Sequence, residues 1–75
     1  MATFQENQVV ELREDVVEDG VTMARGSYGA IINVYSSPSE AYEVEFVDEN
    51  GVVLAQLTLS PSQIQPYTRE SSPPG

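Results

Sequence analysis

Residues 25–47 constrain the fold more than any other part of this 75-residue chain. They read Arg25-Gly26-Ser27-Tyr28-Gly29, then Ala30-Ile31-Ile32-Asn33-Val34-Tyr35, a Ser/Pro turn, and Ala41-Tyr42-Glu43-Val44-Glu45-Phe46-Val47. Two glycines open a β-branched run, and glycine marks places that need positive φ or a close backbone approach. The returning strand alternates strictly. Tyr42, Val44 and Phe46 take one side and Glu43 and Glu45 the other, the pattern of a strand with one buried and one wet face. Ile31 and Val34 lie an odd number of residues apart and cannot share a face of a regular strand. Either a bulge or sharp coil separates them, or the inward set is Ala30, Ile32 and Val34. Small barrels bend a long second strand in this way, which favours the bend. Together the two strands have the pattern of a small, strongly curved β-barrel.

The rest of the chain supplies the other strands. Residues 1–8 are polar and aperiodic, and are expected to be disordered. Val9-Val10-Glu11-Leu12-Arg13 reads as a first strand with Val10 and Leu12 inward. Glu14, Asp15, Glu18 and Asp19 then crowd four carboxylates into a short segment ending at Gly20. Like charges side by side oppose pairing, so residues 14–20 are expected to form a solvated loop. Met23 is expected to cap one end of the core. Asp48-Glu49-Asn50-Gly51 is a hairpin signal, since Asn-Gly fits the positive-φ positions of a tight turn. The following strand sets Val53, Ala55, Leu57 and Leu59 inward, and Leu54, Gln56 and Thr58 outward. Ser60-Pro61 is a one-turn helix start. Ile64-Gln65-Pro66-Tyr67 is a short last strand whose proline suits an edge. Residues 68–75 end in Pro73-Pro74-Gly75 and are expected to be disordered. The expected architecture is all-β: one domain over residues 9–67, a single five-stranded SH3-like barrel with a short 3₁₀ turn before the last strand.

These residues resemble a known family. The string Ala41-Tyr42-Glu43-Val44-Glu45-Phe46-Val47-Asp48, with Gly51 and Leu57-Thr58-Leu59 behind it, is similar to DUF4926, a family of small bacterial proteins of unknown function. The first-strand valines, Arg25-Gly26-x-x-Gly29 and Tyr35 add to the likeness, which runs over residues 9–66. Tyr28 departs from the small aliphatic residue expected there, and no basic residue precedes Arg25. The resemblance implies a compact β-barrel and no activity. Such proteins resemble partners encoded beside other small genes, as in toxin–antitoxin pairs, which is an association and not a mechanism.

Charge separates the function classes. Twelve acidic residues face three arginines, with no lysine and no histidine, for a net charge of −9. Such a body repels DNA, RNA and anionic lipid and attracts basic partners. The bland reading is solubility alone; the sharper one is an acidic face that docks on a basic protein surface. With no cysteine, neither a disulfide nor a thiolate zinc site can form. Small secreted domains usually rely on disulfides, so the expected compartment is the cytoplasm. The start of the chain has neither a basic nor an apolar leader pattern, so no signal peptide is read. Apolar runs fall far short of the roughly 20 residues that span a bilayer. The expectation is a soluble protein with no membrane partner.

Without histidine, cysteine or lysine, the usual general bases and activated nucleophiles are missing. The serines lie in turns and the tail, where serine is common anyway. The chain is therefore read as no enzyme, with no catalytic residue, cofactor or metal site. Glu14, Asp15, Glu18 and Asp19 offer oxygen donors, but their spacing does not match the alternating pattern of a calcium loop. Gly26-x-x-Gly29-x-Ile31-x-x-Val34 resembles the KOW pattern of ribosomal and transcription-factor barrels, so a KOW-like nucleic-acid-associated barrel is one alternative. Arg13, Arg25 and Arg69 are scattered rather than striped, which disfavours nucleic acid as a partner. An acidic nucleic-acid mimic that inhibits a DNA-binding protein is the other alternative.

The tyrosines point to a binding face. Tyr42 is read as core and Tyr67 as closing the barrel, leaving Tyr28 and Tyr35 as a surface pair. Beside the acidic loop they would form a groove for a basic ligand, as SH3 domains hold proline-rich or basic peptides. The expected role is a non-enzymatic protein-interaction module that binds a basic protein, of the co-encoded toxin-like kind. Glu14, Asp15, Glu18 and Asp19 would supply long-range and rim charge, and Tyr28 and Tyr35 the contacts. The sequence leaves the oligomeric state open.

Overall fold

Alternation sorts the side chains in space as it does along the chain. Val10 and Leu12, Ile31, Tyr42, Val44 and Phe46, Leu57 and Leu59, and Ile64 are each at most 2% exposed and meet in one core. Burying a side chain of this size contributes roughly 1.5–3 kcal/mol. The structure is a computed structural model that describes residues 3–67, so the tail expectation for residues 68–75 lies outside the described residues.

The strands are β1 (Val9–Leu12), β2 (Val16–Glu18), β3 (Val21–Met23), β4 (Tyr28–Tyr35), β5 (Ala41–Val47), β6 (Val53–Leu59) and β7 (Ile64–Pro66). A 3₁₀ turn, Pro61–Gln63, joins the last two. The fold is all-β. Five strands form one antiparallel sheet in the order β6-β5-β4-β1-β7, and β2 and β3 pair separately. The expected five strands thus become, among the described residues, seven in two sheets. The larger sheet is open, with β6 and β7 as its edges.

The glycine reading of residues 25–29 separates into its two physical cases. Gly26 has φ +90°, in the turn before β4, with open space where a Cβ would stand. Gly29 has no such φ; a Cβ there would lie 2.5 Å from the Glu45 carbonyl oxygen. The first glycine shapes the turn, and the second lets β4 and β5 approach. The bend in β4 is also present. The β4–β5 register shifts between Ile31 and Asn33, which lets Ile31 bury fully while Val34 still packs against the core.

Four expectations are corrected. First, residues 14–20 are not all loop: β2 and β3 make a hairpin whose turn residues, Asp19 (φ 53°) and Gly20 (φ 79°), both have positive φ. Like-charge opposition fails as an objection because, of the four acids, only Glu18 lies on a strand, and no acid stands opposite it. Glu18 faces Val21, Val17 faces Thr22, and Val16 faces Met23.

Second, the polar start is part of the fold as far as residues 3–8 describe it. Phe4 is 6% exposed and packs edge-on against Tyr42 at 5.4 Å. Its backbone N–H donates to the Tyr42 hydroxyl at 3.0 Å, and the Thr3 N–H donates to Glu40 at 2.9 Å. The Asn7 N–H reaches the Ile31 carbonyl at 2.7 Å.

Third, Val53 is 51% exposed rather than inward. The register slips between Phe46 and Val47, so Phe46 pairs with Ala55 and Val47 with Val53. Leu54 is the extra residue, and it is exposed as expected.

Fourth, the β5–β6 turn uses positive φ at Gly51 alone, φ 81°. It is a three-residue loop, closed by the Asp48 N–H on the Val52 carbonyl at 2.9 Å, a type of connection that puts a left-handed residue at its last position. The Asp48 carboxylate accepts from the Asn50 and Val52 N–H groups at 2.8 and 2.9 Å.

The 3₁₀ turn forms at Ser60-Pro61, where the Ser60 N–H donates to the Gln63 side-chain oxygen at 2.9 Å. Proline in β7 sits on an edge strand, where its missing N–H leaves no gap in the ladder.

Candidate interaction surface

The outer face of the five-stranded sheet is not uniformly polar. Register places Tyr28 of β4 beside Glu11 of β1, and Val47 of β5 lines the same hollows as Tyr28. One row along, Glu45, Ala30 and Val9 lie side by side. The Tyr67 N–H donates to the Val9 carbonyl at 3.1 Å, which brings the end of the last strand onto this face. The Tyr67 ring stacks on Tyr28 with centroids 4.5 Å apart and planes 17° from parallel. Tyr28 remains 51% exposed.

Two adjoining hollows share this centre. One, of about 300 Å³, is bounded by Met23, the Gly26-Ser27-Tyr28 turn, Phe46, Val47 and Leu54. The other, of about 210 Å³, lies between Val9, Tyr28, Gly29, Ala30, Glu45 and Val47. Tyr28 and Val47 line both, so the two form one apolar groove from the sheet face to the sheet end. Its carboxylates keep acceptor capacity. Among the described residues, Glu45 accepts one side-chain bond, from Gln56 at 3.0 Å, and Glu11 one from Gln65 at 3.2 Å.

Of the residues expected to act together, only some lie near this groove. Tyr28 is at its centre. Tyr35 stands at the other end of β4, roughly 20 Å away at about 3.3 Å per residue. Its hydroxyl donates to Glu43 at 2.9 Å and accepts from Asn33 at 3.3 Å. The bond to Glu43 holds the Tyr35 phenol above its ordinary pKa, because the neighbouring carboxylate disfavours phenolate.

The four acidic residues are spread by their partners. Asp15 accepts the Arg25 N–H at 2.8 Å and so braces the turn that carries Tyr28. Glu18 crosses to β6 and accepts the Thr58 N–H at 3.1 Å. Glu14 meets the Gln63 side chain at 3.4 Å. Asp19 sits in the hairpin turn. Among the described residues, no three acidic groups converge as a metal site would need. Glu40, by contrast, is a latch. It accepts from the Tyr42 hydroxyl and from the Thr3 N–H, and the first of these chiefly lowers its pKa.

The sequence reading missed Tyr67, Val47, Val9 and Glu45 as neighbours of Tyr28. The outer set Glu43, Glu45 and Val47 follows from the alternation of β5. The stacking of Tyr67 on Tyr28 does not, because it depends on β1 lying between β4 and β7.

Among the described residues, no helix is long and apolar enough to cross a membrane. No curated protein and no solved structure matches the chain significantly. Comparison with protein-family models matches residues 6–66 to the domain of unknown function DUF4926. That match covers most of the chain, glycine turn and paired strands included, and the chain belongs to the DUF4926 family.

Proposed function

We propose that this protein is a non-enzymatic interaction module that receives a basic segment of a partner protein in the groove around Tyr28. The observation that carries the reading is the exposed Tyr28, stacked on the half-buried Tyr67, in an apolar groove that Glu45 also lines, on a chain of net charge −9. Stacked aromatic faces attract guanidinium and ammonium groups. Nearby carboxylates supply the counter-charge, and the overall field draws a cationic partner inward. The contact pair is thus Tyr28 with Tyr67, in place of Tyr28 with Tyr35. Glu14, Asp15, Glu18 and Asp19 contribute field and bracing more than contact.

The strand order supports an SH3-like reading of the fold. A hairpin follows the first strand, a 3₁₀ turn precedes the last, and the last strand pairs with the first. A bacterial cytoplasm, where a co-encoded basic protein would be met, fits the family resemblance and the lack of cysteine.

The test is a titration of ¹⁵N-labelled protein with an arginine-rich peptide, an acidic peptide of equal length and duplex DNA. The arginine peptide should shift Val9, Ala30, Val47 and Leu54, with an affinity that falls as salt rises. Tyr28→Ala should weaken it at least tenfold. Absence of binding by the basic peptide, or equal binding by the acidic one, would refute the reading.

A further inference from the structure

The two edges of the main sheet are finished differently. Edge β7 is three residues long and ends in Pro66, both common ways of blunting an edge. Edge β6 runs for seven residues. Val53 and Leu54 on it are 51% and 53% exposed, and Val52 before it is 58% exposed. Among the described residues, only β5 pairs with it.

Backbone direction on β6 can be read from one bond. The Thr58 N–H reaches Glu18, so it points away from β5. In an antiparallel strand the residues that face away alternate with those that pair. Gln56, two positions earlier, therefore also turns its N–H and C=O outward. Among the described residues nothing bonds to that N–H. Glu18 covers the Thr58 end of the edge, a charged side chain that discourages indiscriminate pairing. The Gln56 end is open and leads toward Leu54 and the groove that Leu54 lines.

We infer that β6 is a docking edge, and that an extended basic segment of a partner adds to it as a further antiparallel strand beside Gln56. This mode gives affinity through main-chain hydrogen bonds and specificity through alternate side chains. Cationic side chains suit it, because an added strand runs between Glu18 at one end and the Glu45–Gln56 pair on the outer face. A second copy of this chain does not suit it. Edge-to-edge pairing would set the Glu18 carboxylates of both copies along one seam, on two bodies each of charge −9. The inference rests on the reading of the partner as basic, and it adds where and how the partner's backbone is held.

The experiment uses the whole chain and a peptide of alternating arginine and valine. Amide hydrogen exchange at Gln56 is followed with and without saturating peptide. A second peptide carries N-methyl groups on alternate amides, and Gln56→Pro removes the outward N–H without touching the β5 ladder. Docking on the edge predicts at least tenfold slower exchange at Gln56 with the first peptide. It also predicts at least tenfold weaker binding by the methylated peptide and by the proline variant. Binding that shifts Tyr28 and Val47 while Gln56 exchange stays unchanged would overturn the edge and leave the groove reading standing. Failure of every basic peptide to bind would overturn both. Gln56 protection that rises with protein concentration alone, with a dimer in sedimentation, would overturn the choice of occupant. Should Gln56→Pro unfold, the methylated peptide still decides.

Discussion

Gly29→Ala reverses the usual sign of a glycine substitution. Where φ is compatible, replacing glycine by alanine commonly stabilises a protein by about 0.4–1 kcal/mol, through the unfolded state. Gly29 does not have a positive φ, so backbone conformation alone would permit alanine. Space does not. The new Cβ would lie 2.5 Å from the Glu45 carbonyl oxygen, 2.9 Å from Val44 Cγ1 and 3.0 Å from the Glu45 carbonyl carbon. Ordinary carbon contacts settle near 3.5–4.0 Å, so β4 and β5 would have to part by roughly 1 Å. Two of the three obstructing atoms are backbone, held by the adjoining pairs Ala30↔Glu45 and Ile31↔Val44, and no rotamer change relieves them. Overpacking of this kind costs about 2–3 kcal/mol. For a domain of this size that lowers the melting temperature by about 10–20 °C. Stability itself is on the order of 3–5 kcal/mol in so small a body, so the variant should sit near the edge of folding. Gly26→Ala is the companion. It meets open space but keeps φ +90°, so it should cost only the left-handed strain, about 1–2 kcal/mol. Urea and thermal melts followed by circular dichroism rank the two. A Gly29→Ala protein as stable as wild type, or more stable than Gly26→Ala, would refute the close-approach argument.

The other predictions concern the latch and the phenols. Phe4→Ala should cost about 3 kcal/mol, because Phe4 is 6% exposed; an unchanged urea midpoint would return residues 3–8 to a frayed start. Tyr42→Phe keeps the ring but strips the buried Phe4 N–H of its acceptor, for a loss of about 1–3 kcal/mol. The folded-state pKa of Glu40 is depressed below its ordinary 4.5, so its contribution is complete above that value and drains away as pH falls through the lower folded value. Glu40→Gln should therefore flatten the acid limb of the stability curve below pH 5, and an identical limb in both proteins would contradict this. Tyr35 is shifted the other way, above 10.0. Its contribution is complete below pH 10 and is lost as pH climbs through the raised value. Ultraviolet titration should show one phenol ionising late, and Tyr35→Phe should remove that step.

Much of the sheet is legible in the sequence because its signals are local. Tyr42, Val44 and Phe46 alternate over consecutive positions, as do Ala55, Leu57 and Leu59, and period two is all a half-buried strand requires. The parity of Ile31 and Val34 announces the bulge, and Ser60-Pro61 the 3₁₀ turn. The misses have physical causes. Asp19-Gly20 is a strong hairpin signal, but four nearby carboxylates suggested repulsion, and only the register shows that none faces another. Phe4 is a lone apolar residue in a polar stretch, and one residue has no period. Val53 is displaced by a bulge whose location a turn sequence alone does not fix. At the candidate site, Tyr28 is legible as an exposed aromatic. Tyr67 is not legible as its neighbour, because a chain separation of this length is closed by topology rather than by spacing.

The place of β1 has a kinetic consequence. β1 lies between β4 and β7, and its outer hydrogen bonds are completed by residues 64–66, more than fifty positions further along the chain. Contacts so distant along the chain must meet the entropy of closing a long loop before any gain returns, which slows folding. A nascent chain that stops before Ile64 carries β1 as a bare edge with Val10 and Leu12 uncovered on one flank. Translation arrest or proteolysis at that point would yield a sticky fragment rather than a slightly shortened domain. Solubility thus becomes a readout of whether synthesis ran through β7.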